Sequence, residues 1–361
     1  MAVRVGIIGV GWGAHVQAPA FRTVPGYELV ALCARTPERL ERVAGKLGIE
    51  DTSTQWQSFV RRDDLDLVSV ATPTSLHHEI SVAALDEGKA VLCEKPLAAD
   101  TRQAEDLVQA AKAAGRPTAC CFENRWNADR LAVWDQVRGG YLGTPYFARV
   151  SRSASYWHPS HAPQTRWMYD RAQGGGYLAG MLVHDLDFVC QLLGPPVQVC
   201  AEVRSTVPVR RLPDGEELQV TADDTAALIM RMESGATAVL SVSVMGAHTD
   251  HFSMELFGSD GTITGEGGVR GATFRAGTPA DEGLAPLPAS TRRPPGDESL
   301  PGGLAGEAIR TMALMLEDWL PAFDGRPVPA VPTFTDGLLT IAVIQAAHRS
   351  AAGAGWVPVD R

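Results

Sequence analysis

The chain has 361 residues, of which 45% are hydrophobic and 20% are charged, and its formal net charge is −10 at pH 7. This length exceeds what one ordinary hydrophobic core supports, so the composition predicts a soluble globular protein of two domains. The acidic balance argues against nucleic acid or an anionic membrane surface as the main partner, although a helix N-terminus could still bind a small phosphate.

The first 122 residues alternate strand-like and helix-like segments. Apolar, β-branched runs predict strands at 3–10, 28–34, 65–72, 90–94 and 117–123. Amphipathic, alanine-rich runs predict helices near 14–24, 37–48, 76–88 and 100–115. This alternation predicts an α/β domain over residues 1–122, built as a doubly wound parallel sheet of the Rossmann type.

The pattern changes in residues 123–361, which predict a second α/β domain. Several β-rich runs after residue 193, joined by turns such as "SGA" and "SDG", predict a large and mostly antiparallel sheet. The proline-rich segment 276–303 predicts a loop. Two helical segments near 304–324 and 336–352 complete this domain.

Cysteine usage and the N-terminal segment favour the cytoplasm. The six cysteines, at 33, 93, 120, 121, 190 and 200, form no CxxC pair and mostly lie in apolar runs, so they are predicted to be reduced and buried. No cluster has the spacing of metal ligands, so no metal site is predicted. "MAVRVGIIGV" predicts a first strand and not a signal peptide, and no uncharged run is long enough to span a bilayer.

The stretch "IIGVGWGAH" follows the first predicted strand and opens a helix. Gly9, Gly11 and Ala14 fit the pattern G-x-G-x-x-G/A, with Trp12 and Gly13 in the same loop. Such glycines let the backbone approach a pyrophosphate, and the helix N-terminus offers unpaired N–H groups to it. The loop therefore predicts a dinucleotide site, and the alternative is a tight turn without a ligand.

The end of the second strand bears on which dinucleotide binds. An NAD-preferring site usually has an acidic residue here, but the position is Ala34, followed by Arg35 and Thr36, with Arg39 one turn later. A guanidinium and a hydroxyl would bind a 2′-phosphate. The sequence therefore favours NADP(H), with NAD(H) as the alternative if both arginines are only solvated surface charges.

Further motifs connect these segments to a known family. They are "ATPTSLHHE" (71–79), "CEKPLA" (93–98), "ENRW" (123–126), "GGGYLAGMLVHDLD" (174–187) and "FGSDGTI" (257–263). With them the chain resembles the Gfo/Idh/MocA family, the glucose–fructose oxidoreductase and inositol dehydrogenase group. The resemblance implies NAD(P)-dependent hydride transfer to or from a sugar, keto-sugar, cyclitol or related polyol, in a homodimer or homotetramer.

The resemblance also implies a set of site residues. The implied catalytic residues are Lys95 and His184. The implied cofactor contacts, besides the glycine loop and the residues after the second strand, are Thr72, Pro73, His77, Glu94, Lys95 and Pro96. The implied substrate contacts are Lys95, Asn124, Arg125, Trp126, His184 and Asp187. The aromatic stretch from 156 to 169 adds Trp157, which could stack on a sugar ring or belong to an aromatic covering loop.

One departure from the family pattern concerns His184. The pattern commonly reads G-G-G-x-L-x-D-x-G-x-H, and this chain has Gly180 in place of the aspartate and Leu182 in place of the later glycine. On a helix, residues 180 and 184 are neighbours, so the histidine lacks its usual acidic partner. Two alternatives therefore stay open: a non-catalytic NAD(P)-binding ligand sensor, and a reductase of a non-sugar carbonyl or imine.

Overall fold

The computed structural model describes residues 2–161, 165–212, 215–268, 271–288, 290 and 303–360. These residues pack as two compact units. The first contains the chain up to Trp126 and the later residues 303–338, and the second contains residues 127–290 and 339–360. The sequence pattern predicted a single division after residue 122, because it could not show that a late segment returns to the first unit.

A six-stranded parallel sheet forms the centre of the first unit, in the order β3-β2-β1-β4-β5-β6. The predicted parallel Rossmann sheet is confirmed. The prediction missed β3, whose three polar residues carry no apolar pattern. The strands are β1 (Val3–Ile8), β2 (Tyr27–Cys33), β3 (Asp51–Ser53), β4 (Leu67–Val70), β5 (Ala90–Cys93) and β6 (Thr118–Cys120).

Most helices of both units lie in segments predicted to be helical, whereas the four-residue α3 was not predicted. In chain order they are α1 (Ala18–Thr23), α2 (Pro37–Leu47), α3 (Trp56–Phe59), α4 (His77–Asp86), α5 (Thr101–Ala114), α6 (Ala128–Arg138), α7 (Val183–Leu193), α8 (Gly303–Trp319) and α9 (Phe334–Arg349). Helix α8 packs against α1, and the Tyr27 hydroxyl donates to the Leu316 carbonyl at 3.0 Å. These contacts place α8 in the first unit.

Nine strands form the sheet of the second unit, in the order β16-β15-β14-β13-β7-β12-β11-β8-β17. Every neighbouring pair is antiparallel except β12 and β7, so the predicted mostly antiparallel sheet is confirmed. A separate ribbon pairs β9 with β10. The strands are β7 (Pro145–Ala154), β8 (Pro196–Arg204), β9 (Val209–Arg211), β10 (Glu217–Gln219), β11 (Thr225–Met232), β12 (Thr237–Ser243), β13 (Asp250–Gly258), β14 (Thr262–Gly268), β15 (Gly271–Gly277), β16 (Ala285–Pro286) and β17 (Val357–Pro358).

The predicted loop 276–303 overlaps this sheet at its start. Strand β15 ends at Gly277, and the two residues of β16 pair with it. These pairings correct the first part of the prediction, because two residues inside a proline-rich stretch have no recognisable strand pattern. Residue 289 and residues 291–302 lie outside the described residues.

Three further sequence predictions concerned the state of the cysteines, a metal site and a membrane-spanning segment. All six cysteines are free thiols; five are buried and Cys200 is partly exposed, as predicted for most of them. Within the described ranges, no group of three or more His, Cys, Asp or Glu side chains could hold a metal ion. No helix in the described part of the chain has the length and apolarity to cross a bilayer.

Candidate functional site

The glycine loop joins β1 to a helix and leaves room for a ligand. Gly9 has φ = 114°, and a Cβ there would lie 2.2 Å from the Ala71 carbonyl oxygen, so only glycine fits this close approach to the end of β4. A Cβ on Gly11 would meet only the Arg39 Nη2 atom, at 3.7 Å. A π-helical turn begins at Gly13 and continues into α1. The open loop followed by a helix start fits a dinucleotide pyrophosphate.

The other residues predicted to bind the dinucleotide surround this loop. Trp12 is 45% exposed, whereas Ala14 is buried. Arg35, Thr36 and Arg39 are exposed after β2. The Arg39 Nη2 atom donates to the Val10 carbonyl at 3.5 Å, which places this guanidinium against the loop.

Lys95 follows the last residues of β5 and is partly exposed. Its neighbour Glu94 is buried, and its carboxylate accepts a hydrogen bond from the Gln17 amide at 2.8 Å. The Ser69 hydroxyl donates to the other end of that amide at 2.7 Å. Burial raises the pKa of Glu94, while the Lys95 charge and the Gln17 hydrogen bond act in the opposite direction. Glu94 therefore anchors Lys95 to the helix of the glycine loop, a connection that the sequence did not indicate.

Thr72, Pro73 and His77 follow β4 at the neighbouring strand end. The His77 ring is buried, and its nitrogens lie 2.9 Å from the Thr72 and Pro96 carbonyl oxygens. The ring thus lies inside the protein between two turns. A cofactor contact by His77 stays a prediction, and its observed partners are backbone groups.

The "ENRW" turn belongs to the first unit. Arg125 is buried and donates to the Asp336 carboxylate at 3.0 Å, and the Trp126 indole donates to the Asp318 carboxylate at 2.8 Å. Both side chains thereby bind the segment 303–338 to the turn. Asn124 is only partly buried. The predicted substrate contacts of these three residues stay predictions, and the observed bonds already explain Arg125 and Trp126.

His184 lies in the second unit, near the start of α7, beside a buried charge cluster that the sequence analysis missed. Asp185 is fully buried and accepts hydrogen bonds from Arg130 and from Arg152. Arg130 also donates to the His184 carbonyl at 3.2 Å. Burial alone would raise the pKa of Asp185, but the two guanidinium groups outweigh burial and hold the pKa below its usual range. An acidic residue inside an apolar helix was the only sequence signal of this cluster.

A second buried carboxylate fixes the start of the helix that carries His184. The Asp223 side chain accepts from the Tyr177 N–H at 3.0 Å and from the Leu178 N–H at 2.7 Å. Burial raises the pKa of Asp223 to about 6. A Cβ on Gly176, where φ is 111°, would lie 2.2 Å from this carboxylate. Because Gly176 has no side chain, the Asp223 carboxylate can lie close to the backbone and accept hydrogen bonds from the first N–H groups of this helix.

Three further residues singled out in the sequence analysis, Asp187, Gly180 and Trp157, also lie in the second unit. Asp187 is buried one turn after the histidine. Gly180 is exposed in the π-helical turn Leu178–Leu182, and a Cβ there would meet nothing within 4 Å. Trp157 is only 2% exposed and stacks on Tyr169 with ring centroids 4.2 Å apart. This packing accounts for Trp157 without a substrate, so its sugar contact stays a prediction.

The fold and the strand-end residues define the class of this protein. A parallel sheet with an open glycine loop after β1, and with turns after the carboxyl ends of β4 and β5, is the arrangement of a dinucleotide-binding domain. The catalytic roles of Lys95, in the first unit, and of His184, in the second, stay predictions.

Comparison with known proteins identifies the family. Residues 3–120 match the model of the oxidoreductase family with an NAD-binding Rossmann fold, and residues 131–264 match the GFO/IDH/MocA C-terminal domain. The chain is 31% identical over 266 residues to inositol 2-dehydrogenase 3 of Saccharopolyspora erythraea, covering 73% of each chain. It belongs to the Gfo/Idh/MocA family, and it is a nicotinamide-dependent dehydrogenase or reductase.

Two further comparisons cover the whole chain. Levoglucosan dehydrogenase of Pseudarthrobacter phenanthrenivorans is 24% identical over 402 aligned positions, which cover 99% of this chain and 98% of that one. A solved structure of levoglucosan dehydrogenase in complex with NADH covers 100% of both chains with a TM-score of 0.88 at 23% identity. This likeness establishes that the fold is shared along the full length.

Proposed function

We propose that this protein is an NADP(H)-preferring oxidoreductase that acts on a hydroxyl or carbonyl carbon of a sugar, keto-sugar, cyclitol or related polyol. The observation that carries the proposal is the placement of Lys95, partly exposed at the end of β5, with Glu94 tied to the glycine-loop helix at 2.8 Å. Relatives named for inositol and levoglucosan support the substrate class.

Lys95 would act at the substrate oxygen. The nicotinamide, when bound, supplies or accepts the hydride. During reduction the Lys95 ammonium would donate a proton to the developing alkoxide, and during oxidation the amine would accept the hydroxyl proton. His184 would share this proton exchange, with its backbone fixed by Arg130.

The test of the function is a binding and turnover experiment. NADPH and NADH are titrated separately and followed by nicotinamide fluorescence. Inosose, keto-sugars and simple carbonyl compounds are then added with the reduced cofactors, and myo-inositol and levoglucosan are added with NADP+ or NAD+. We expect tighter binding of NADPH and a change of the reduced signal with at least one polyhydroxylated compound. Cofactor binding without turnover across the whole panel would contradict the proposal and favour a ligand sensor.

The exposed arginines after β2 give a prediction about cofactor choice. In the double variant Arg35→Ala/Arg39→Ala, NADPH should bind at least about 100-fold more weakly, since two charge-assisted hydrogen bonds are lost and each is worth about 1.5–3 kcal/mol. NADH should bind nearly as in the parent. Fluorescence titration with both cofactors measures the ratio of the two affinities, and Arg42→Ala, which removes one exposed guanidinium from the same helix as Arg39, is the control. Equal losses for both cofactors would remove the basis for NADP preference.

The open position at Gly180 gives a prediction about His184. In Gly180→Asp, a carboxylate four residues before His184 should favour the imidazolium, so the histidine step in the pH profile of kcat/KM should move to higher pH. Gly180→Asn has the same shape without the charge and should leave the step in place. Identical profiles for the two variants would show that position 180 does not act on the histidine.

We also propose that the chain forms a homodimer or homotetramer. Several apolar side chains on the strands of the nine-stranded sheet are exposed to solvent, as is typical of surfaces that associate. They include Tyr146, Val197 and Ile229.

A further inference from the structure

His77 occupies an unusual position between two turns. It begins α4, and its ring is 1% exposed. The Nδ1 atom lies 2.9 Å from the carbonyl oxygen of Pro96, the residue after Lys95. The Nε2 atom lies 2.9 Å from the carbonyl oxygen of Thr72, which follows β4. One imidazole therefore bridges the turn after β4 and the turn that carries Lys95.

The chemistry of the ring makes the two contacts unequal. A carbonyl oxygen only accepts hydrogen bonds, and a neutral imidazole carries a single N–H donor. Burial lowers the pKa of His77, and the nearby Lys95 charge acts in the same direction, against the carbonyls of Thr72, Pro96 and Leu97. In the neutral form one of the two carbonyl oxygens accepts a hydrogen bond from the ring N–H, and the other lies against the ring nitrogen that carries a lone pair.

The residues before and after Lys95 are therefore both in hydrogen-bonding contact with other elements. On the N-terminal side the Glu94 carboxylate is held by Gln17 at 2.8 Å. On the C-terminal side the Pro96 carbonyl faces the His77 ring. These anchors come from separate elements, the helix of the glycine loop and α4. A small displacement of either anchor would move the lysine backbone, and misplacement of a reacting group by about 1 Å can cost about 10²-fold in rate.

We propose that His77 is a positioning residue for Lys95, acting through the hydrogen bond from its Nδ1–H to the Pro96 carbonyl. The proposal rests on the function given above, in which Lys95 exchanges the substrate proton. In this proposal the hydrogen bond to the Pro96 carbonyl positions Lys95, and the contact with the Thr72 carbonyl only packs the ring against the turn after β4.

A pair of amide substitutions separates the two contacts. The amide nitrogen of His77→Asn can take the place of Nδ1 and donate to Pro96, whereas that of His77→Gln can take the place of Nε2 and donate to Thr72. His77→Ala removes both bonds. His78→Asn is the matched control, because the next residue of α4 is partly exposed and its ring Nε2 atom lies 2.6 Å from the Asp106 carboxylate.

The environment of Lys95 can be measured without a substrate. The chain has only four lysines, at positions 46, 89, 95 and 112. Reductive methylation with ¹³C-formaldehyde therefore gives few NMR signals, and the Lys95 signal is the one that disappears in Lys95→Arg. We expect the chemical shift of Lys95 to change in His77→Gln and His77→Ala, and to stay near the parent value in His77→Asn and His78→Asn.

Turnover supplies the second readout. With a compound that the panel identifies as substrate, kcat should fall about 10- to 100-fold in His77→Gln and much less in His77→Asn, with little change in the KM for NADPH. A Lys95 signal that is unchanged in every variant, or changed equally in His77→Asn and His77→Gln, would overturn the positioning role. If no compound turns over, the function proposal fails while the Lys95 signal still decides this one.

Discussion

Replacing Lys95 by methionine should lower kcat/KM about 10²–10⁴-fold, the usual contribution of a positioned general acid or base. Methionine keeps most of the aliphatic length but cannot exchange a proton. NADPH should still bind, because the glycine loop and its helix start are untouched. Steady-state kinetics with the substrate found by the panel, together with fluorescence titration of NADPH, measures both effects.

Two further lysine variants sharpen this result. Lys95→Arg keeps the positive charge, but a guanidinium does not release its proton in proteins, so little activity should return. Lys46→Met, at an exposed position near the end of α2, should behave as the parent. Full activity in Lys95→Arg would mean that only a hydrogen bond or a charge is needed, and near-parent activity in Lys95→Met would move the proton exchange to another residue.

The fold was predictable wherever a pattern was local. Strands β1 and β5 are mostly buried, and both appear in the sequence as short runs of apolar residues interrupted only by Arg4. The short strand β3 has no such run and was missed. The parallel pairing of β12 with β7, inside an otherwise antiparallel sheet, joins segments about ninety residues apart and leaves no mark in either segment.

The residues of the candidate site also fall into two groups, those that lie in a local sequence motif and those that are brought together only by tertiary packing. Lys95 and the glycine loop could be singled out from the sequence because each lies in a short motif directly after a predicted strand. The groups that hold them were not found, since Gln17 and Glu94 are 77 residues apart and Arg130 and Asp185 are 55 residues apart. Hydrogen bonds over such separations depend on tertiary packing, which no local pattern encodes.

Substituting Asp185 by asparagine should lower the free energy of unfolding of the second unit by about 3–5 kcal/mol. The change keeps the shape of the side chain but leaves the buried Arg130 and the largely buried Arg152 without their shared carboxylate. Chemical denaturation at neutral pH measures the loss. Glu255→Gln, which removes a partly exposed ion pair with Arg149 at 2.8 Å in the same unit, should cost about 1 kcal/mol or less.

The pH dependence identifies the cause of that loss. Because the folded protein holds the pKa of Asp185 below its usual range, the ion pairs contribute stability above the ordinary carboxyl pKa of about 3.9, and this contribution falls as the pH drops through the lower folded pKa. The difference between parent and Asp185→Asn should therefore be constant near neutrality and shrink in acid. A difference that stays the same down to pH 3 would show that lost packing, and not lost charge, destabilises the variant.

Replacing Arg130 and Arg152 by methionine together with Asp185→Leu should restore much of the stability, since a cluster of apolar side chains leaves no buried charge without a partner.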